Sequence, residues 1–171
     1  MRSEQYPFIN YLESVRDSND QSYTRSTLAM LRRGLGKEPG EDANVMRIVV
    51  PWLPTDATEW ADRPYYTVAS LFALHSQAGG NGDMGSHFRR LQQEKQSEDA
   101  VERRFTALLN AHAEELDWHL RQAISLCKAN QIPIDWQALF GDIRGWSHPN
   151  RWVQRKWARS FWQKDVEEST E

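Results

Sequence analysis

Arg151-Trp-Val-Gln-Arg-Lys-Trp-Ala-Arg-Ser-Phe-Trp162 is the stretch whose periodicity decides the fold. At about 100° per residue in a helix, Val153, Trp157 and Phe161 fall on one narrow face, which must be a packing face. Arg151, Arg155 and Arg159 follow i, i+4, i+8 spacing on the opposite side, and Trp152 and Trp162 share their sector. Ser147 and Pro149 are predicted to open this helix, which runs through Trp162.

Working back toward the N-terminus, the same period recurs. Asp135 is a predicted N-cap for Trp136, Leu139, Phe140 and Ile143, and Asp117 for Leu120, Ala123, Ile124 and Cys127. Phe105, Leu108, Leu109, His112 and Leu116 form another stripe, and Met84 to Leu91 a further helix. Gln92 to Asp99 is polar and expected to be exposed. Ala78-Gly-Gly-Asn-Gly-Asp83 is the most flexible sequence of the chain, and it sets the expected lobe boundary: residues 1–82 and 83–171.

In the first half, Phe8, Ile9, Leu12 and Val15 predict a helix ending near Asp17. Another starts between Ser22 and Ser26 and closes at Gly34. Val45 to Val50 is β-branched, but it has no partner strand in the sequence and is read as a short buried helix. Pro51, Pro54 and Pro64 bracket an irregular stretch. Tyr65 to His75 then places Val68, Leu71, Phe72 and His75 on one face. The expected fold is all-α, a two-lobed helical bundle.

Composition narrows the function. Hydrophobic residues make up 39% of the 171, and mean hydropathy is −0.76. Eight Trp, five Tyr and six Phe compensate, since each aromatic buries about 150–250 Å². The single cysteine, Cys127, excludes an internal disulfide framework and points to a reducing compartment. No run approaches the roughly 20 apolar residues of a membrane span, so a cytoplasmic protein without membrane contact is expected.

Net charge is only −3, but its distribution is uneven. Arg144, Arg151, Arg155, Lys156, Arg159 and Lys164 occupy a window free of Asp and Glu, followed by an acidic tail. Arg supplies 16 of the 21 basic residues, and Arg suits bidentate phosphate contact better than Lys. A cationic stripe flanked by indoles fits a phosphate backbone with bases free to stack. The same pattern also fits a solvated helix face whose tryptophans pack elsewhere. The pairs Arg32-Arg33, Arg89-Arg90 and Arg103-Arg104 leave one member of each free to pack while the other faces outward. Glu98 and Glu102 are possible partners for the last pair.

Signs of catalysis are absent from the sequence. The five histidines (His75, His87, His112, His119 and His148) lack the spacing of a helical zinc site, and one Cys offers no thiolate cluster. His75 and His112 are expected in the core and His119 on the surface. Glu114-Glu115 and Glu167-Glu168 are consecutive and form no acid/base dyad. Gly79-Gly-Asn-Gly82 follows no strand and lacks the trailing Lys-Ser/Thr of a phosphate loop. No catalytic residue, metal or cofactor is expected.

Several fragments occur in a specific order and spacing: Leu31-Arg-Arg-Gly-Leu-Gly36, Val50-Pro-Trp52, Ala69-Ser-Leu-Phe-Ala-Leu-His75, Gly85-Ser-His-Phe-Arg-Arg-Leu91, Arg103-Arg-Phe-Thr-Ala-Leu-Leu109, Leu120-Arg-Gln122, Ile134-Asp-Trp136 and Val153 to Trp162. Across nearly the whole chain they resemble the CasB family, the small subunit of the type I-E CRISPR surveillance complex (Cascade). Asp83-Met84, where an Asn-Leu pair is usual, and Lys156, where Arg is commoner, depart from that pattern.

The resemblance implies a two-lobed helical subunit, not a nuclease, present as two copies along the inner belly of the complex. Its implied partners are guide RNA, target DNA, the backbone and large subunits, and a second copy of itself. Its implied work is antiviral: holding the target heteroduplex and the displaced strand so that the R-loop stays open. By position in the motifs, Arg33, Arg104 and Arg121 are expected backbone contacts, and Arg89, Arg90, Arg151, Arg155 and Arg159 further candidates. The competing expectation is an assembly module whose arginines and tryptophans make only protein–protein contacts.

Overall fold

A computed structural model describes residues 5–55, 58–94 and 97–165. The described residues form nine α-helices and a 3₁₀ turn, with no strand. The fold is all-α, as the periodicity predicts.

Helix α1 (Pro7–Arg16) buries Phe8, Ile9, Leu12 and Val15. Helix α2 (Gln21–Arg32) is capped by Asp20, whose carboxylate accepts from the Tyr23 amide. The β-branched segment is indeed helical, forming α3 (Ala43–Val49) and a 3₁₀ turn at Val50–Trp52. Asp42 explains why: its side chain accepts from the Asn44 and Val45 amides and nucleates the turn.

Helix α4 (Glu59–Leu74) corrects the expectation of an irregular stretch at Pro64, because the helix runs through that residue. Pro64 forfeits only the bond to the Trp60 carbonyl, near the exposed start of the helix where water can replace it. Nine of the helix's sixteen residues, Pro64 included, are buried and hold the rest in register.

The second half comprises α5 (Met84–Glu94), α6 (Glu98–Leu109), α7 (Leu116–Ala129), α8 (Trp136–Arg144) and α9 (Trp152–Trp162). Asp135 caps α8 through the Ala138 amide, as predicted. Asp117 is not a cap: it lies in the first turn of α7. Its carboxylate points across to α4, where Thr67 Oγ1 donates to it at 2.8 Å. The last helix begins at Trp152 rather than at Ser147 or Pro149, since Arg151 adopts a left-handed conformation (φ 53°, ψ 41°) that no helix can absorb.

Helix α4 packs against α1, α2, α3, α7 and α8, while α5 packs against α6, α7 and α9. One continuous apolar core runs from Phe8 to Phe161. Gly85 makes the α5–α9 crossing possible: a Cβ there would lie 2.1 Å from the Trp157 carbonyl oxygen. The Gly-rich segment before α5, expected to be the most flexible, is tethered at Gly80 and Gly82. Gly80 lies against the Ile134 backbone, and the Gly82 amide donates to Asp135 Oδ2 at 3.2 Å.

Candidate nucleic-acid interface

Arg33 and Arg121 come from opposite sides of the Gly79–Gly82 segment, and both are tied to one cleft: Arg121 lines it, and Arg33 pairs with Asp42 of its wall. The loop after α2 turns through Gly36 at φ +75°, and Arg121 Nη1 reaches over it. This cleft, about 230 Å³, is lined by Lys37, Glu38, Arg63, Asp117, Trp118 and Arg121 among others. Arg33 lies outside this lining, 59% exposed, and reaches the cleft's Asp42 with Nε 3.5 Å from Oδ2. Lys37 Nζ takes the same oxygen at 2.9 Å. That bond holds the Asp42 carboxyl below the ordinary carboxylate range. One carboxylate thus serves two cations and leaves a positive charge over.

Arg63 has a different role. Its guanidinium pairs with Glu38 at 2.7 Å and Asp117 at 3.0 Å, so it braces the cleft floor. Burial raises the Asp117 carboxyl above its usual value, against the opposing pull of Thr67 and Arg63.

The remaining candidates do not converge on this cleft. Arg104 is exposed and lines neither this cleft nor the others described below. Arg155 and Arg159 are likewise exposed. None of the three has a carboxylate partner among the described residues. Arg89 pairs with Asp165 at 3.1 Å and donates to the Gln163 carbonyl. Arg90 donates to the Asn81 carbonyl. Arg89 and Arg159 do share a second cleft of about 410 Å³ with Lys156 and Lys164.

Helix α9 bears out the predicted packing face, with Val153, Trp157 and Phe161 buried. The three-arginine stripe is shorter than predicted. Arg151 precedes the helix, and its Nη2 donates to the Leu109 carbonyl at 2.8 Å. Lys156 is also engaged, because the buried Asp142 accepts from its Nζ and from Trp157 Nε1. Trp162 Nε1 donates to Glu102 at 3.1 Å, and among the described residues neither Glu98 nor Glu102 pairs with Arg103 or Arg104. In the Arg32-Arg33 pair the inner member packs as expected: Arg32 Nε donates to the Ala73 carbonyl at 2.8 Å.

Among the histidines, His75 is a satisfied core residue, bonded to the Ile132 carbonyl at 2.6 Å. His112 corrects its expected place: α6 ends at Leu109, so His112 falls in the following turn and is exposed. His119 is half-buried rather than exposed, packed edge-on to Trp118. Among the described residues, no group of three or more His, Cys, Asp or Glu is placed to hold a metal ion. No described helix is long and apolar enough to cross a membrane.

A family model described as CRISPR-associated protein Cse2 matches residues 27–162. The chain belongs to the Cse2 family. It is 32% identical over 158 residues to the CRISPR-associated protein Cse2 of Thermus thermophilus, covering 91% of this chain and 90% of that one. A crystal structure of a Cse2-family protein, also from Thermus thermophilus, superposes with a TM-score of 0.76 at 30% identity, covering 94% of this chain and all of that one. A chain of a CRISPR RNA-guided surveillance complex shares the fold, with a TM-score of 0.74 at 22% identity over 90% of this chain and 88% of that one.

For this Cse2-family chain, residue patterns missed Arg63 and the two most exposed tryptophans, Trp118 and Trp60. Trp118 carried a usable signal: it lies two residues from both Leu116 and Leu120, off the buried face of α7. Trp60 carried none, since Pro64 hid the helix that holds it.

Proposed function

We propose that this Cse2-family chain is the non-catalytic small subunit of a cytoplasmic type I-E CRISPR surveillance complex, and that it stabilises the R-loop by sequence-independent contacts to nucleic-acid backbones. The observation that carries the reading is one cleft to which two arginines far apart in sequence are tied: Arg121 lines it, and Arg33 pairs with Asp42 of its wall. R-loop formation exchanges one duplex for another of similar stability, so a few phosphate contacts suffice to tip it. Arg104 extends this contact set. Arg89, Arg90, Arg155 and Arg159 belong to the basic surface of α5 and α9, and Arg151 to the edge of a further cleft. The partners are guide RNA, target DNA, the backbone and large subunits, and a second copy of the chain.

A second reading, an assembly module, draws on the partly exposed indoles of Trp152 (38%) and Trp162 (44%). Tryptophans of this kind anchor protein interfaces.

Titrating the protein with duplex and single-stranded polynucleotide across salt separates the two. The proposal predicts weak binding indifferent to sequence, with log K falling by roughly 0.9 per log salt for each duplex phosphate neutralised. Binding that is absent, or flat in salt, both alone and in the assembled complex, overturns it in favour of the assembly module.

A further inference from the structure

Trp118 is 63% exposed and Trp60 56%, more than any other large hydrophobic side chain among the described residues. A chain of contacts joins them. The Arg63 guanidinium lies 6.0 Å from the Trp60 ring centroid. The same guanidinium bonds Asp117, the residue before Trp118. Trp118 edges the 230 Å³ cleft, and Trp60 edges a larger one of about 870 Å³. The two clefts share Arg63, Thr67, Glu114 and Asp117 as a common wall. The larger volume falls within the roughly 300–1,000 Å³ of sites that hold small organic groups.

Arg63, Arg144 and Arg151 line the larger cleft against two carboxylates, Glu114 and Asp117, with His112 and His148 beside them, so its lining is net positive. Neither Arg144 nor Arg151 has a carboxylate partner among the described residues. Arg144 lies over the Tyr6 and Phe140 rings, 5.5 Å and 5.6 Å from their centroids, which fixes its position while leaving its charge unneutralised. A groove with guanidinium groups that no carboxylate neutralises and with exposed indoles at its edges suits a strand offering phosphates and unpaired planar bases together. A double helix offers phosphates, but its bases are already stacked.

We propose that Trp60 and Trp118 are stacking platforms for unpaired bases, and that the groove joining the two clefts seats a single-stranded segment of nucleic acid. The inference rests on the reading of the chain as a polynucleotide-binding subunit, and it adds that bases as well as phosphates are gripped.

The test compares a 12-nucleotide oligo(dA) with an abasic strand carrying the same number of phosphates, each titrated into the full chain at low salt. Affinity and tryptophan quenching are read, for the native protein and for Trp60→Leu with Trp118→Leu. Native protein binds oligo(dA) at least roughly thirtyfold more tightly than the abasic strand, as stacking of one base on each indole requires, and its fluorescence is quenched by oligo(dA) alone. The double variant binds both strands equally, at the abasic level. Equal binding of the two strands by the native protein overturns the stacking proposal and leaves phosphate recognition standing. Absence of binding to either strand overturns both. A double variant that keeps the preference for oligo(dA) but fails to enter the assembled complex shows a protein occupant instead, and overturns the proposal.

Discussion

Arg121 Nη1 lies 3.2 Å from the point where a side-chain carbon on Gly36 would stand. The loop after α2 therefore holds the guanidinium against its own backbone, and the absence of a side chain at Gly36 is part of the cleft. Gly36→Ala has two consequences. The left-handed φ of +75° becomes strained, costing about 1 kcal/mol of stability. The new methyl also makes the Arg121 guanidinium give way by a few tenths of an ångström. Polynucleotide affinity is expected to fall slightly with the fold intact, as thermal unfolding and anisotropy on the same preparation would record. Unchanged affinity would separate Arg121 from the binding surface.

The α5–α9 crossing is less forgiving. Gly85→Ala places a methyl 2.1 Å from the Trp157 carbonyl oxygen and 2.9 Å from Ser160 Cβ. Both helices must shift, and overpacking of this kind costs roughly 1–3 kcal/mol or more. Denaturant titration should show a lower midpoint. A native-like midpoint would mean that the helices do not approach as described.

His87 makes stability depend on pH. It is buried with 1% exposure, and its Nε2 accepts from the Asp135 amide at 3.3 Å. Burial above all, with help from nearby Arg90, pushes its pKa down from 6.5 to about 4. A histidine held neutral in the fold contributes stability that is present above its unfolded pKa and is lost as pH falls through its folded pKa. Between pH 6.5 and pH 4 the native protein is expected to lose up to about 3 kcal/mol through this group alone. His87→Gln keeps an acceptor without a titrating ring and should lose correspondingly less over the same range. Parallel pH profiles for the two proteins would contradict this.

Much of the fold was legible because helical periodicity is local. The faces of α1 and α9 and the Asp135 cap follow from spacing and capping chemistry alone. The failures are places where a long-range contact overrules a local signal. Pro64 sits inside α4 because the helix is buried against five others. Asp117 turns from its own helix end to Thr67 and Arg63. Arg151 leaves the helix and bonds the Leu109 carbonyl. The site divides the same way. Motif position named Arg33 and Arg121, but no local pattern could show that Asp42 would stand between Arg33 and Lys37, or that Arg63 would brace the floor.

R-loop lifetime in the assembled surveillance complex, measured with Arg33→Ala and Arg121→Ala combined, tests the central claim most directly. Arg25→Ala with Lys128→Ala serves as the control, since both residues are exposed and line none of the clefts. Loss of charge-assisted contacts worth about 1.5–3 kcal/mol each predicts a lifetime at least roughly tenfold shorter for the first pair and little change for the second. Equal lifetimes for the two double variants, with both incorporated normally, would contradict the assignment of this cleft to nucleic acid.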